Sequence, residues 1–320
     1  MTLISEYTSL IDNAIKELPL PGGALSGLYE PIAYGLDAGG KRLRPVLALL
    51  AASAYGLDTA KAMPAALCVE MFHNFTLLHD DVMDNSPTRR GKPSVHAKWD
   101  INTAILSGDT LYGLCYNQLL RLPGEKLPQA LRMFNDTAIG VFEGQQYDMD
   151  FESRDDVTLP EYLEMIRLKT SVLLGGAAAL GAIAAGAPDD DIRAWYIYGE
   201  ALGMAFQIQD DLLDVYGDPK TFGKPVGGDI LNAKKTFLTL NALTMPEAEK
   251  LREAFRLPPT TERVDAVRKI YDTMGIPQIC HDAIEQYTRT AIDALNTINM
   301  PELQRHTLTQ LALNLAQRTK

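Results

Sequence analysis

Cysteine and tryptophan are scarce in this sequence, with three Cys and two Trp among 320 residues. The cysteines are Cys68, Cys115 and Cys280, and none has a second cysteine nearby. Such spacing excludes a disulfide framework and a cysteine-based zinc site. It favours reduced thiols, as expected in a cytoplasmic protein.

Basic residues are also outnumbered by acidic ones: 30 Lys and Arg against 41 Asp and Glu give a formal net charge of −11. A surface that binds nucleic acid needs a basic footprint, so a nucleic-acid partner is not expected. The content of 46% hydrophobic and 22% charged residues is ordinary for a globular protein with a large core. An anionic substrate still fits this composition if the basic residues cluster locally.

Segments typical of secretion or membrane insertion are missing. The first 18 residues contain Glu6 and Asp12 and repeat apolar residues at helical spacing, unlike a signal peptide. Residues 170–188 carry no charge but consist largely of Ala and Gly, which gain little from transfer into lipid. We therefore expect a helix packed on all sides by neighbours, and no membrane span.

Alternating apolar and polar residues, the pattern of strands, are rare as well. Nearly every segment instead has apolar residues at a helical period or in runs of helical length, separated by short Gly and Pro breaks. No linker is long or low in complexity. The sequence therefore predicts an all-α fold, a single-domain helical bundle spanning residues 1–320.

The pattern D-D-x-x-D occurs twice, each time at the end of an apolar helical run. Its members are Asp80, Asp81 and Asp84 in the first copy and Asp210, Asp211 and Asp214 in the second. Carboxylates at a helix C-terminus repel one another and oppose the macrodipole, and a bound Mg²⁺ would relieve both penalties. A solvated acidic helix end explains one such cluster. Two clusters of the same spacing favour two faces that close on shared metal ions.

Basic residues follow each acidic cluster in sequence. Arg89 and Arg90 come just after the first cluster, where they would form salt bridges with its aspartates or bind diphosphate oxygens, and Lys234 and Lys235 follow the second.

A further basic segment lies earlier in the chain. Gly39 and Gly40 form a hinge that we expect to present Lys41, Arg42 and Arg44 to an anion. The segment nearly matches a nucleotide P-loop, but Arg42 stands where Ser or Thr should hold Mg²⁺, and no strand precedes it.

Glu70 and His73 form an E-x-x-H pair of the kind found in di-iron bundles. No second such motif exists in the sequence, so that class lacks ligands. His73 lies two turns before Asp80 on the same helical face. We therefore expect it either to contact the substrate of that site or to be a hydrogen-bonded core histidine.

Taken in order, the motifs resemble those of trans-isoprenyl diphosphate synthases, the polyprenyl synthetase family. They are G-G-K-R-L-R-P, L-L-H-D-D-V-M-D, R-R-G-K-P-S-V-H, G-Q-x-x-D, K-T, F-Q-I-Q-D-D-L-L-D, and G-K followed by G-G-D and K-K-T, between Gly39 and Thr236. The resemblance implies the type I isoprenoid synthase fold with a central cavity, usually as a homodimer. It also implies three Mg²⁺ ions and condensation of isopentenyl diphosphate with an allylic diphosphate, whose departing diphosphate removes the proton.

The resemblance also implies a role for each matching residue. Mg²⁺ is expected on Asp80, Asp84 and Asp210, with Asp81, Asp211 and Asp214 binding the metal or its waters. The allylic diphosphate is expected on Arg89, Lys169, Lys224 and Lys234, and isopentenyl diphosphate on Lys41, Arg44, His73 and Arg90. Thr170 and Gln207 are expected to face the allylic carbon. The predicted catalytic residues are Asp80, Asp84, Lys169, Thr170, Gln207 and Asp210, while Gln145 and Asp148 match a polar pair near the metals.

Product length is expected to depend on the helix that leads to the first aspartate cluster. Phe75 lies five residues before Asp80, about 7.5 Å down that helix, and Phe72 and Thr76 share the region. An aromatic ring at this depth would block the growing tail. The motif also lacks the two-residue insertion found in many bacterial farnesyl synthases. We therefore expect a short product, geranylgeranyl rather than farnesyl diphosphate.

Three questions stay open at the level of sequence. A class I terpene cyclase would share one aspartate motif but usually has a different second metal motif and no need to bind a second diphosphate. A non-catalytic subunit of a heteromeric prenyltransferase would be expected to have lost metal ligands, and both sets are intact here. Arg318 and Lys320 either close the site or belong to a frayed helix end.

Overall fold

Helices form nearly all of the regular structure in residues 2–217 and 226–318, the part of the chain that the computed structural model describes. They are α1 (Leu3–Lys16), α2 (Ser26–Leu36), α3 (Leu43–Ser53), α4 (Thr59–Met83), α5 (Val95–Lys98), α6 (Ile101–Leu119), α7 (Leu127–Ser153), α8 (Leu159–Ile166), α9 (Val172–Ala184), α10 (Asp189–Tyr216), α11 (Gly228–Leu231), α12 (Phe237–Leu243), α13 (Ala248–Phe255), α14 (Thr261–Thr273), α15 (Ile276–Thr297) and α16 (Glu302–Ala316). A 3₁₀ turn covers Gly23–Leu25, and a π-helical segment covers Arg167–Ser171. The strands β1 (Thr88–Arg89) and β2 (Lys92–Pro93) form one small hairpin. The predicted all-α class is confirmed.

The chain divides into two compact units. The first consists of Met1–Asn135, Gly176–Trp195 and Met300–Thr307, and the second of Asp136–Gly175, Tyr196–Asn299 and Leu308–Lys320. The single domain expected over residues 1–320 stays a prediction.

Side-chain caps fix where several of these helices begin. Asp58 accepts a hydrogen bond from the Ala60 N–H at the start of α4, at 2.8 Å. Asp100 does the same for the Thr103 N–H of α6, at 2.9 Å. Each cap satisfies a backbone donor that the first helical turn leaves unpaired, so these polar residues define the beginnings of the long helices.

In the first unit, the core is built around α3. Its residues from Pro45 to Ala52 are all buried, and the helix packs against α1 and α4, while α4 packs along α6. A Cβ atom on Gly181 of α9 would lie 2.0 Å from the Ala48 carbonyl oxygen of α3. Because a side chain cannot fit there, this glycine allows the two helices to approach closely.

In the second unit, a separate cluster of buried apolar side chains comes from α7, α8 and α10 to α15. Tyr271 of α14 is fully buried within it, and its hydroxyl shares a 2.9 Å hydrogen bond with the hydroxyl of Thr239 on α12. The polar tip of this large ring is thereby satisfied inside an apolar core.

The uncharged segment predicted to be a packed helix is mostly buried. Among the described residues one helical stretch, Leu159–Ala184, is long and apolar enough to cross a membrane, but 83% of its most apolar window is buried inside the protein. Gly199 of α10 would place a Cβ atom 2.3 Å from the Leu174 carbonyl oxygen within this stretch. The expected close packing through small residues is confirmed.

Gly144 brings α7 against the π-helical segment. A Cβ atom on Gly144 would lie 2.2 Å from the backbone nitrogen of Lys169, whereas one on Gly140, a turn earlier, would meet nothing closer than 3.5 Å. Of the two, only Gly144 is therefore required by contact with a neighbouring backbone. Lys169 is a predicted catalytic residue, so this contact also determines where that residue lies.

We expect Gly144→Ala to lower the free energy of unfolding by about 1–3 kcal/mol, because the added methyl group forces the two backbones apart. Gly140→Ala is the matched control. It should be neutral or stabilise by up to about 1 kcal/mol, since alanine favours the helix. Denaturant unfolding followed by circular dichroism measures both. Equal stability of the two variants would contradict the close approach at Gly144.

Candidate active site

The first aspartate cluster lies at the C-terminal end of α4. The helix ends at Met83, and Asp84 forms its C-terminal cap. Asp81 is buried, and its Oδ1 accepts a hydrogen bond from Arg89 Nε at 2.8 Å and forms an ion pair with Nη2 at 2.7 Å. The guanidinium thus neutralises a carboxylate that the helix dipole disfavours. The salt bridge expected between these arginines and aspartates is present at Arg89.

Arg89 and Arg90 are presented by the small hairpin. Its pairs are Thr88 with Pro93 and Arg89 with Lys92, and the connecting residues Arg90 and Gly91 have φ of 51° and 75°. Two successive positive φ values define a tight type I′ turn. The turn makes the two arginine side chains point in different directions. Arg89 pairs with Asp81, whereas Arg90 lies against the Gly39-Gly40 loop.

Glycine is favoured at position 40 by its backbone conformation, which residues with a side chain rarely adopt. Its φ is 137°, and a Cβ atom there would lie 2.6 Å from Nη1 of Arg90. Beyond the loop, Arg44 Nη1 lies 3.3 Å from Nε2 of His73 on α4. The first unit therefore brings Arg44, His73 and Arg90 together, as predicted, while Lys41 is an exposed residue at the same loop.

The electrostatics of this cluster favour a neutral histidine among cations. Burial, and then the charges of Arg44 and Arg90, hold the pKa of His73 well below its usual value. Burial lowers the pKa of Arg44 to about 10, and Arg90 adds to the decrease. A neutral imidazole accepts a hydrogen bond from Arg44, and the surplus of positive charge would be relieved by a bound anion.

Arg42 differs from the expectation that it faces an anion. Its side chain is only 3% exposed, and it forms ion pairs with Asp12 at 2.9 Å and Glu70 at 2.5 Å. Burial alone would lower the pKa of Arg42, but the two carboxylates raise it above the ordinary value. Of the three cations at the glycine hinge, this one is directed into the protein because two acids within the first unit neutralise it there. Glu70, the acid of the E-x-x-H pair, is thus an arginine partner.

The residues predicted to limit product length lie in an aromatic cluster of the first unit. Phe75 stacks on Tyr112 of α6 with ring centroids 5.3 Å apart, and Phe72 contacts both rings. Phe134 packs edge-on against Phe72 at 5.4 Å. Thr76 turns its hydroxyl to the His73 carbonyl oxygen at 2.8 Å. The helix ends at Met83, just after Asp80, so the rings of Phe72 and Phe75 lie on the preceding turns, toward the helix interior.

The second aspartate cluster lies in the final two turns of α10. Asp210 forms an ion pair with Arg318, whose guanidinium carbon also lies 3.9 Å from the Phe206 ring centroid. Gln209 donates a hydrogen bond to the Arg318 carbonyl oxygen at 3.0 Å. Burial lowers the pKa of Arg318 to about 10. Arg318 thus lies beside the predicted metal ligand Asp210.

Asp211 and Asp214 fasten other parts of the second unit. Asp211 is 4% exposed; it accepts hydrogen bonds from the Tyr162 hydroxyl and, at 3.0 Å, from the Phe237 N–H that begins α12. Burial raises the pKa of Asp211 to about 7 despite these donors. Asp214 accepts from the Asp229 N–H of α11 at 2.9 Å. These two acids therefore position neighbouring helices, whatever they contribute to metal binding.

The predicted pair that faces the allylic carbon also lies together in the second unit. The Thr170 hydroxyl donates to Oε1 of Gln207 at 3.3 Å. Thr170 and Lys169 belong to the π-helical segment, an irregularity that often accompanies functional sites, and Lys169 forms an ion pair with Asp148 of α7. Asp148 is therefore the partner of Lys169, and Gln145 lies one turn earlier on the same helix.

Three further predicted cations follow the second aspartate cluster in sequence. Lys234 is exposed, and its Nζ lies 3.9 Å from Asp229. Lys224 and Lys320 lie outside the described residues, so their predicted contributions stay predictions.

Oxygen donors make both clusters chemically suited to Mg²⁺, which prefers carboxylates and water. Within residues 2–217 and 226–318, no three His, Cys, Asp or Glu side chains are arranged as a ready metal cage. Arg89 and Arg318 instead neutralise Asp81 and Asp210. The carboxylate donors fit the ion, and two of them also form ion pairs with protein cations.

Two groups of contacts were missed by the sequence reasoning. Tyr162 has no motif around it, yet it is the buried donor to Asp211. Tyr112 and Tyr116 of α6 share a 3.0 Å hydrogen bond and extend the aromatic cluster. A four-residue spacing of tyrosines was the only signal for the second group, and the same spacing is common in ordinary core helices.

Known proteins resemble this chain closely. It is 44% identical over 247 residues to the geranylgeranyl diphosphate synthase of Methanosarcina mazei, over 76% of each chain. A crystal structure of a geranylgeranyl pyrophosphate synthase matches all of both chains with a TM-score of 0.94 and 43% identity. The polyprenyl synthase of Caulobacter crescentus, complexed with calcium and isoprenyl diphosphate, matches with a TM-score of 0.83 and 29% identity over 99% of this chain and 95% of that one. The polyprenyl synthetase family model matches residues 26–274, and the chain belongs to that family.

Proposed function

We propose that this protein is a Mg²⁺-dependent trans-prenyltransferase that condenses isopentenyl diphosphate with an allylic diphosphate and releases a short-chain product. The observation that carries the proposal is the cluster of Arg44 and Arg90 around a neutral His73, together with an aspartate cluster at the end of the same helix α4. A diphosphate and a divalent ion are the ligands that these two groups of side chains would bind. Family membership supports the same reaction.

Isopentenyl diphosphate would bind to Lys41, Arg44, His73 and Arg90. Arg44 and Arg90 offer planar forks that suit phosphate oxygens, and Lys41 adds an exposed point charge. Because His73 is neutral, it can both accept from Arg44 and donate its other ring N–H to a phosphate oxygen. The bound substrate would thus be held by its charged end, which leaves the carbon chain positioned for reaction.

The allylic diphosphate would bind to Arg89, Lys169, Lys224 and Lys234. Asp80, Asp84 and Asp210 would hold Mg²⁺, with Asp81, Asp211 and Asp214 contributing ligands or holding metal-bound water, and we propose three ions in total. When bound, Mg²⁺ supplies Lewis-acid activation of the leaving diphosphate. Arg318 would have to release Asp210 for that carboxylate to become a ligand, and its ion pair shows that Asp210 accepts a cation.

Side chains near the allylic carbon would stabilise positive charge and exclude water. The oxygens of Thr170 and Gln207 lie 3.3 Å apart, and the partial negative charge on such oxygens would stabilise a developing cation. Aromatic side chains on α4 and α6 would surround the apolar tail, and exclusion of water protects a developing allylic cation from quenching.

The product we favour is geranylgeranyl diphosphate. Phe75 and Tyr112 form a stacked pair, with Phe72 and Phe134 behind it, and these rings leave little room for a longer tail. The M. mazei relative carries the name of a geranylgeranyl diphosphate synthase. The small Thr76, whose hydroxyl is bonded within its own helix, leaves more room than a second aromatic residue would.

We also propose a cytoplasmic homodimer. All three cysteines are free and buried, which agrees with a reducing compartment. On α6 of the first unit, Ile101, Ile105 and Leu106 are exposed by 54%, 40% and 57%. An exposed apolar helix face of this kind is typical of a surface that a second chain covers.

Asp80→Ala and Asp210→Ala should each reduce kcat at least about 100-fold, a loss of about 2.7 kcal/mol of transition-state stabilisation. The reason is that each change removes a carboxylate ligand of Mg²⁺. Diphosphate release from isopentenyl diphosphate and each allylic primer, with Mg²⁺, measures the rate. Asp190→Ala removes a surface carboxylate and is the control. Turnover within threefold of wild type in both variants would refute the metal assignment, and a cyclic hydrocarbon product would favour a terpene cyclase.

Phe75→Ala should lengthen the product by at least one isoprene unit, because it removes the ring that stacks on Tyr112. Mass spectrometry of dephosphorylated products gives the chain-length distribution. Phe142→Ala, at a ring 40% exposed on α7, should leave that distribution unchanged. If wild type already makes chains beyond geranylgeranyl length, or Phe75→Ala alters nothing, Phe75 is not the residue that stops elongation.

Ile105→Glu combined with Leu106→Glu should convert the dimer to a monomer of 35.2 kDa, because two charges are placed on the apolar face of α6. Sedimentation velocity measures the mass of each species. Ile197→Glu tests a residue of similar exposure, 45%, on α10, and should leave the dimer intact. A monomeric wild-type protein would exclude the proposed homodimer.

A further inference from the structure

Arg42 lies between two predicted diphosphate ligands but is directed away from them. Lys41 precedes it and is exposed, and Arg44 follows it and contacts His73. Arg42 itself is the N-cap residue of α3 and is almost completely buried. A buried arginine between two predicted ligands has a structural role that its contacts define.

Its guanidinium fastens the glycine hinge to three helices of the first unit. Nε donates to Asp12 of α1 at 2.9 Å, Nη1 to Glu70 of α4 at 2.5 Å, and Nη2 to the Leu36 carbonyl oxygen of α2 at 2.9 Å. Each direction of the planar fork thus meets a different element. Lysine has a single ammonium group and cannot reproduce this geometry.

The backbone of the hinge is under conformational strain that these contacts offset. Arg42 has φ of 49° and ψ of 29°, a left-handed conformation that is unfavourable for a residue with a side chain. Gly39 and Gly40 also have positive φ, of 76° and 137°. A loop of this shape persists only where surrounding contacts determine it, and the Arg42 side chain supplies three of them.

The same helix that holds Arg42 also holds Arg44. Glu70 pairs with Arg42, and His73, one turn later on α4, contacts Arg44. Asn74 donates to Glu70 Oε1 at 3.2 Å and so fixes the orientation of that carboxylate. The spacing of Glu70 and His73 is therefore matched to the spacing of Arg42 and Arg44 across the α3–α4 contact.

We propose that Arg42, held by Glu70 and Asp12, is a positioning residue that sets Lys41 and Arg44 at the spacing needed to bind isopentenyl diphosphate. This inference rests on the proposed function. The E-x-x-H pair then has a role, since its acid positions the hinge and its histidine contacts the substrate-binding arginine. The Arg42 guanidinium is fully engaged by Asp12, Glu70 and Leu36. Its loss should therefore act through Lys41 and Arg44 and weaken the binding of isopentenyl diphosphate selectively.

Arg42→Lys and Glu70→Gln test the proposal through steady-state kinetics with both substrates varied. We expect KM for isopentenyl diphosphate to rise about tenfold or more in each variant, equivalent to about 1.4 kcal/mol. KM for the allylic diphosphate should stay within about twofold of wild type, because its predicted ligands do not belong to the hinge. Calorimetric binding of isopentenyl diphosphate alone should show the same loss without turnover.

Two further variants separate a loss of stability from a loss of positioning. Arg42→Gln combined with Glu70→Gln removes the two buried charges together. Asp12 loses its arginine partner but is 42% exposed and can be solvated, so this variant should fold while the raised KM persists. Tyr55→Phe breaks the 2.8 Å hydrogen bond to Asp191 elsewhere in the first unit and should lower the melting temperature without changing either KM.

Each outcome bears on one claim. If Arg42→Lys and Glu70→Gln fold and keep the wild-type KM for isopentenyl diphosphate, the positioning role is wrong, while the prenyltransferase activity of wild type stands. Equal increases in both KM values also overturn it, since the effect would then be general. Failure of wild-type protein to condense the two substrates would overturn the proposed function itself, and the calorimetric comparison would still test the hinge.

Discussion

Carboxylates gathered at the C-terminal ends of two helices need cations, and this requirement governs the arrangement of the rest. The helix dipole and mutual repulsion both oppose the acids at the ends of α4 and α10. Arg89 neutralises the charge of Asp81, and Arg318 neutralises that of Asp210. The hairpin β1–β2 and the segment after α16 are therefore held by charge. Basic residues follow each aspartate cluster in sequence, where they can offset the negative charge of the carboxylates. A divalent ion would offset the same charge, and a diphosphate would pair with these cations.

Features determined by nearby residues could be predicted from the sequence. The end of α4 beside Asp84 follows from the apolar run that stops there, and the small residues around Gly181 predicted close packing with no side chain between helices. The family motifs assigned Thr170 and Gln207 to one substrate, and His73 and Arg44 to the other, and the structure places the members of each pair in contact. In each case the local pattern or a recognised motif contains enough information to fix the outcome.

Contacts between distant residues could not be predicted in this way. Arg42 reads as one of three hinge cations, and only the fold of the first unit brings Asp12 and Glu70 to it. Tyr162 donates to Asp211 across a separation of 49 residues, and no motif marks it. The stacking of Tyr112 on Phe75 likewise depends on how α6 packs along α4. Such pairings are decided by packing and by the need to satisfy buried polar groups, which a linear pattern does not encode.

The members of the second aspartate motif do not have equal physical roles, although the motif treats them alike. Asp211 is buried and accepts from a tyrosine hydroxyl and from the first N–H of α12. Its removal would leave those donors unpaired in an apolar core, which costs stability whether or not a metal binds. Asp214 similarly receives the Asp229 N–H. Asp210 instead pairs with a side chain, Arg318, that another cation could replace. A loss of activity at Asp210 therefore speaks to chemistry, whereas the same loss at Asp211 first has to be separated from the loss of the helix contacts that this carboxylate maintains.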